Sequence, residues 1–300
     1  MRTAFIEQLV VEARRNPKIF LLVGDLGYSV VEGFASEFPS RFLNIGIAEQ
    51  NMTGVAAGLA SEGWHVFTYS IANFPTLRCF EQIRNDVAYH RLPVTVVAVG
   101  GGLAYGNLGY SHHAVQDLAV FRTLPGFTVM APADPGETRE CVSSLVYNPR
   151  PSYLRLGKAG EPDLHKLKGI DRGPLCIRTG GTNVAMVATG GVLKVALDAH
   201  SILQVGGCSV SVYSLPQLKP ISALLLKPLI KYRHVIAIEE HVAEGGLASA
   251  LRENLPSSVE VTSFHVTDET TAQVGSQLYL RQIAGLTGEN ISEWILAHGV

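Results

Sequence analysis

Short, almost unbroken apolar runs alternate with mixed segments along most of the chain. IFLLV (19–23), FLNI (42–45), WHVFTY (64–69), VTVVAV (94–99) and FTVMA (127–131) read as strands. Helices are expected after Ser29, from Ala48, and over 76–90, 113–124 and 134–147. The opening MRTAFIEQLVVEARR has amphipathic helical spacing, and YLRLG (153–157) is strand-like. Strands this uniformly apolar suit a parallel sheet covered on both faces, because a strand with one wet face alternates instead. Residues 157–182 break the rhythm with Gly, Pro and Lys. A second alternation follows: NVAMVAT (183–189), a helix from Val192, CSVSVYS (208–214), a helix near 221–231, HVIAIEE (234–240), a helix from Gly246 and a closing helix at 290–298. The expected architecture is α/β with two doubly wound domains, 1–160 and 183–300, joined by a linker at 161–182.

Composition narrows the class. Three hundred residues suffice for two domains, each with its own core. With 47% hydrophobic and only 17% charged residues, the chain carries less charge than a monomer of its size needs, which points to surface reserved for other subunits. A net charge of −2 with no basic block gives no electrostatic reason to expect nucleic acid or an anionic membrane. Cys79, Cys141, Cys176 and Cys208 are scattered and form no CxxC pair, so they read as reduced thiols rather than a disulfide framework or a zinc site. Glu7 and Gln8 interrupt any signal-peptide core, and no apolar run reaches the roughly 18 residues of a membrane span. A cytoplasmic protein is expected.

Ligands of open α/β sheets bind where strands run out into helices. Three segments qualify: GDLGYS (24–29), IGIAEQN (45–51) and GGGLAYGNLGYSHH (100–113). Glu49 stands in the first turn of a helix rich in small residues (Gly54, Ala56, Ala57, Gly58, Ala60). An acidic residue there also simply complements the helix dipole. GGGLAY fails the dinucleotide fingerprint, since Tyr105 fills the third glycine's place, and a tight strand exit explains it equally well. The His112–His113 pair is a poor metal motif, because adjacent side chains diverge. One of them suits a pocket hydrogen-bond donor and the other a solvated cap.

Three longer stretches occur in order: IGIAEQNMTGVAAGLA, YSIANFPTLRCFEQIRNDVAYHRLPV and GYSHHAVQDLAVFRTLPGFTVMAPADPGE. Together they resemble the thiamine-diphosphate enzymes of the transketolase family, most strongly from Arg41 to Pro135, and VIAIEEHVAEGGLAS (235–249) adds a weaker likeness. The resemblance implies a pyrimidine-binding domain followed by a Rossmann-like transketolase C-terminal domain, the C-terminal half of a complete enzyme. It implies that Glu49 hydrogen-bonds N1′ of the cofactor's aminopyrimidine and so helps generate the reactive ylide. Phe74 would stack on that ring, with Ile71 beside it where relatives often carry another aromatic. His112 would approach the donor's oxygen atoms. Leu108 replaces an acid that reads donor hydroxyls, and Gly100 falls where a second donor-site histidine is usual. Arg2, Ser29 and Arg155 align with phosphate-gripping positions.

The same resemblance implies a partner. GDL at 24–26 lacks the second glycine of the family's GDG motif and the spaced Asn that together bind diphosphate and Mg²⁺. No metal-binding residue is expected in this chain. A separate N-terminal transketolase subunit would hold the diphosphate and the divalent cation, in an assembly expected to be α₂β₂. The implied reaction is transfer of a two-carbon ketol unit from a sugar, with a phosphorylated ketose as the expected donor, to an aldehyde. Two alternatives stay open: a decarboxylating enzyme, either deoxyxylulose-phosphate synthase-like or a 2-oxo acid dehydrogenase β subunit, and a non-catalytic scaffold subunit.

Overall fold

The computed structural model describes residues 1–170 and 173–299. The expected linker 161–182 includes Asp171 and Arg172, and the expected second domain includes Val300, which lie outside the described residues. Strands run in the order β1 (Ile19–Val23), β2 (Phe42–Asn44), β3 (His65–Ile71), β4 (Val94–Val99), β5 (Thr128–Met130), β6 (Ser152–Leu156), β7 (Leu175–Arg178), β8 (Val184–Thr189), β9 (Ser211–Ser214), β10 (Gln217–Lys219), β11 (His234–Glu239) and β12 (Glu260–Phe264). They form a seven-stranded sheet, β10-β5-β6-β4-β3-β1-β2, and a five-stranded sheet, β12-β11-β8-β9-β7. Both are parallel except at one edge, where β10 runs antiparallel to β5 and β7 antiparallel to β9. The apolar strands β4, β8 and β11 are buried along their whole length, as two-sided cover requires.

Local sequence explains how helices are placed on these sheets. In ADPGE, Asp134 caps the helix Pro135–Tyr147 by accepting from the Glu137 N–H at 2.8 Å, and Pro135 occupies the first helical position. Glu137 reaches back to the Ala133 N–H at 2.6 Å. The N-terminal helix Arg2–Arg15 buries Phe5, Ile6, Leu9 and Ala13 at helical spacing.

Four expectations change. The 76–90 helix is a 3₁₀ turn (Leu77–Cys79), one α-turn (Phe80–Gln82) and a π-helix (Ile83–Ala88). The 113–124 helix begins only at Asp117, because His113 and Ala114 remain extended and Ala114 bridges to Gly102. The stretch 221–231 makes only the short 3₁₀ turn Lys227–Leu229, with Pro228 inside it. β10, although it belongs to the second half of the sequence, completes the first sheet, so the two halves interlock. Further bonds seal that junction: Val242 N–H to Val115 O at 2.9 Å, Gly190 N–H to Ala131 O at 3.0 Å and Arg122 to Gly245 O at 2.5 Å.

All four cysteines are free, Cys79 and Cys141 buried. No described helix is long and apolar enough to cross a membrane.

Candidate functional site

Parallel pairing brings the ends of β1, β2, β3 and β4 to one edge of the first sheet, with Val23 opposite Asn44 and Tyr69, and Ile71 opposite Val99. Three of the loops leaving that edge are the segments singled out from sequence. Asn44 ties two of them together: its Oδ1 accepts from the N–H groups of Asp25 at 3.1 Å and Gly46 at 2.9 Å. Gly46 turns the chain with φ +77°, a conformation costly for other residues, and the helix Glu49–Ser61 starts three residues later.

Glu49 is therefore the first helical residue, and it is only 2% exposed. Its Oε1 accepts from Ser70 Oγ at 3.2 Å and its Oε2 from Arg78 Nη1 at 3.2 Å. A Cβ on Gly24, the residue after β1, would lie 3.3 Å from Ser70 Oγ and 3.5 Å from Oε1, so this turn packs directly beside the carboxyl group. Behind Glu49 the helix buries Met52, Ala56, Ala57 and Ala60, while Gly54 and Gly58 face open space.

Phe74, in the loop after β3, is half-buried. The Arg78 guanidinium lies over its ring at 4.7 Å, and the His112 imidazole meets it edge-on with centroids 5.3 Å apart. Asn73 Nδ2 donates to the carbonyls of Ser111 at 3.0 Å and His113 at 2.9 Å, fixing the Phe74 loop to the His112 loop. Glu49, Phe74 and His112 thus form one continuous wall with Arg78 and Ser70, neither of which the sequence reading singled out. Ile71 closes β3 and is partly buried.

Gly100, at the end of β4, has φ +85°, and a Cβ there would strike the Tyr105 ring at 2.1 Å. Tyr105 takes that volume and stands 6.4 Å from His112 between ring centroids. Lys158 Nζ sits 5.2 Å over the Tyr105 ring. Burial raises the Tyr105 pKa, and the nearby Arg2 offsets part of the rise. Arg2 itself has a buried Nε without a hydrogen-bond partner. Ser29 is exposed, in a left-handed conformation (φ +64°), with its N–H bonded to Glu32 at 2.7 Å. Leu108 is 56% exposed.

Two expectations are corrected. Arg155 is 5% exposed and does not face the wall: it pairs with Asp117 at 3.0 Å and donates to the carbonyls of Ala114 at 2.5 Å and Glu240 at 2.8 Å. Asp117 also accepts from the Tyr153 phenol Oη at 2.5 Å. Arg155 is thus a clamp between the domains, and Lys158, three residues on, is an exposed cation beside Tyr105, on which Arg2 also acts. His113 is not a solvated cap but is 1% exposed, with neither ring nitrogen hydrogen-bonded. An interdomain cavity of about 160 Å³ nearby is lined by four basic side chains, of which Arg155, Arg281 and Lys194 are paired with Asp117, Glu240 and Asp198, and the fourth is Lys158. No group of three or more His, Cys, Asp or Glu residues that could hold a metal ion occurs among the described residues.

Family models match both halves: Transketolase, pyrimidine binding domain, over residues 1–160, and Transketolase, C-terminal domain, over 174–291. The chain belongs to the transketolase family. Among its relatives, an apulose-4-phosphate transketolase subunit of Phocaeicola vulgatus is 34% identical over 92% of this chain and 90% of that protein. The 1-deoxy-D-xylulose-5-phosphate synthase 1 of Geobacter sulfurreducens is 33% identical over 96% of this chain but only 46% of its own length. A solved structure described as a split gene transketolase, inactive beta4 tetramer, is 35% identical, covers 99% of this chain and 96% of that one, and superposes with a TM-score of 0.86.

Proposed function

We propose that this chain is the C-terminal subunit of a split transketolase-like enzyme. It would transfer a two-carbon ketol unit from a ketose, phosphorylated in our reading, to an aldehyde. The observation that carries the reading is the buried Glu49 carboxyl group at the head of its helix, in one wall with Phe74 and His112. These residues fit thiamine diphosphate: Glu49 would hold N1′ of the aminopyrimidine and Phe74 would give its ring an apolar wall. When bound, the cofactor supplies the nucleophilic carbon that this chain's own side chains lack. Glu49 holds the proton shared with the ring nitrogen. His112 donates a hydrogen bond to the substrate's carbonyl oxygen, where negative charge develops. Lys158 and Arg2, flanking Tyr105, draw an anionic sugar tail toward that side of the wall.

The partner would be an N-terminal transketolase subunit that holds the diphosphate and most of the Mg²⁺ coordination. Support comes from the incomplete GDL motif, the low charge content, and the exposed Gly54, Gly58 and Ile47 beside Glu49. We place two copies of each chain in the assembly. The free thiols favour a cytoplasmic setting.

Leu108, standing in place of the family's hydroxyl-reading acid, favours a second reading, a decarboxylating synthase or dehydrogenase. Incubating the reconstituted complex separately with pyruvate and with a ketose phosphate decides between them. Ketol transfer gives a new sugar from the ketose and no CO₂; release of CO₂ from pyruvate establishes the decarboxylase instead.

A further inference from the structure

Arg78 touches both groups that the reading above assigns to the cofactor's ring. Its Nη1 donates to Glu49 Oε2 at 3.2 Å, and its Cζ lies 4.7 Å from the centroid of Phe74. The other Glu49 oxygen is engaged by Ser70, and the Phe74 ring also meets His112 at 75° with centroids 5.3 Å apart. A guanidinium is planar, cationic and armed with in-plane N–H donors, so it stacks on an aromatic ring while donating to a carboxylate. An aminopyrimidine would use the same two surfaces, its ring stacking on Phe74 and its N1′ taking the hydrogen bond of a proton held by Glu49, so the two cannot occupy them together. We propose that Arg78 is a built-in competitor for the aminopyrimidine, spanning Glu49 and Phe74 until it swings outward to let the ring reach them. This rests on the cofactor assignment made above.

The energetics favour such an exchange. Glu49 is 2% exposed, and a buried carboxylate without a partner is costly. Arg78 supplies that partner from a side chain that is itself 49% exposed, so outward rotation returns the guanidinium to water with little penalty. The site is therefore tolerable without the cofactor, at the expense of affinity for it. By linkage, whatever stabilises the form that excludes the ring weakens ring binding by the same factor.

The test uses the reconstituted complex with its partner chain and thiamine diphosphate itself, read by equilibrium binding and by thermal unfolding. Arg78→Met is expected to tighten cofactor binding about 3- to 10-fold, the effect of removing a half-exposed ion pair and a stack. Arg78→Lys, which keeps the charge but lacks the planar fork, should tighten it less. In the same samples Arg78→Met lowers the melting temperature without cofactor, and the difference from wild type shrinks at saturating cofactor. Weaker or unchanged binding in Arg78→Met overturns the proposal, making Arg78 a cofactor ligand or a bystander. Absence of saturable binding to the wild-type complex overturns the cofactor assignment itself, a failure visible before any variant is compared.

Discussion

His112 stands edge-on to Phe74, the ring planes at 75° and the centroids 5.3 Å apart. The wall assigned to the cofactor therefore continues directly into the residue assigned to the substrate, and Asn73 holds the two loops in that relation. Replacing His112 with Ala should lower kcat of the reconstituted enzyme about 100- to 1000-fold, the range for losing one well-placed donor at developing charge. Cofactor affinity should stay within about threefold of wild type, because the donor acts on substrate. Steady-state kinetics beside a cofactor titration check both.

Phe74 should behave in the opposite way. Phe74→Ala removes an aromatic wall contributing about 0.5–1.5 kcal/mol beyond simple area, so the cofactor Kd should rise by up to about 10-fold. At saturating cofactor most of the turnover returns. A kcat loss as large as that of His112→Ala would place Phe74 against the reacting atoms instead.

Arg155 and Lys158 separate by stability. Arg155→Met leaves Asp117, 0% exposed, without its cation, which should cost about 3–5 kcal/mol in denaturant unfolding. The exposed Lys158→Met should change stability by less than about 0.5 kcal/mol and raise KM for a sugar phosphate several-fold. The reverse pattern would return Arg155 to the substrate.

His65 predicts an acid limb in stability. Burial pushes its pKa down to about 4, with Nε2 lying 3.3 Å from Thr95 Oγ1. As pH falls below about 6.5 the unfolded chain takes up a proton that the native chain refuses, so stability is complete above that pH and declines toward pH 4. The loss should be on the order of 3 kcal/mol. His65→Gln should flatten this limb in unfolding measured from pH 7 to pH 4; an unchanged slope would assign it to other groups.

Much of the frame was legible in the chain. β1, β3, β4, β8 and β11 are apolar runs buried on both faces, and that pattern marks them without knowledge of any partner. The strands that escaped notice lack it. β12 is an edge strand of mixed exposure, and β7 lies inside a Gly- and Pro-rich stretch. β10 is three residues long and pairs with the other domain, a long-range fact no local window contains. Glu49, Phe74 and His112 were visible because each sits in a motif. Arg155 misled because YLRLG looks the same whether its arginine faces a ligand or a buried Asp117. Arg78 left only a faint trace, an arginine four residues after Phe74, and Tyr105 drew attention only as a flaw in a glycine pattern.

Glu49 carries the proposed chemistry, and Glu49→Gln tests it most directly. The variant keeps the size and shape of the side chain and changes the proton it can hold. Assembled with the partner chain at saturating thiamine diphosphate, it should form the complex normally and lose at least about 100-fold in turnover. Turnover equal to wild type in an intact assembly would contradict the proposed role and leave this chain a scaffold.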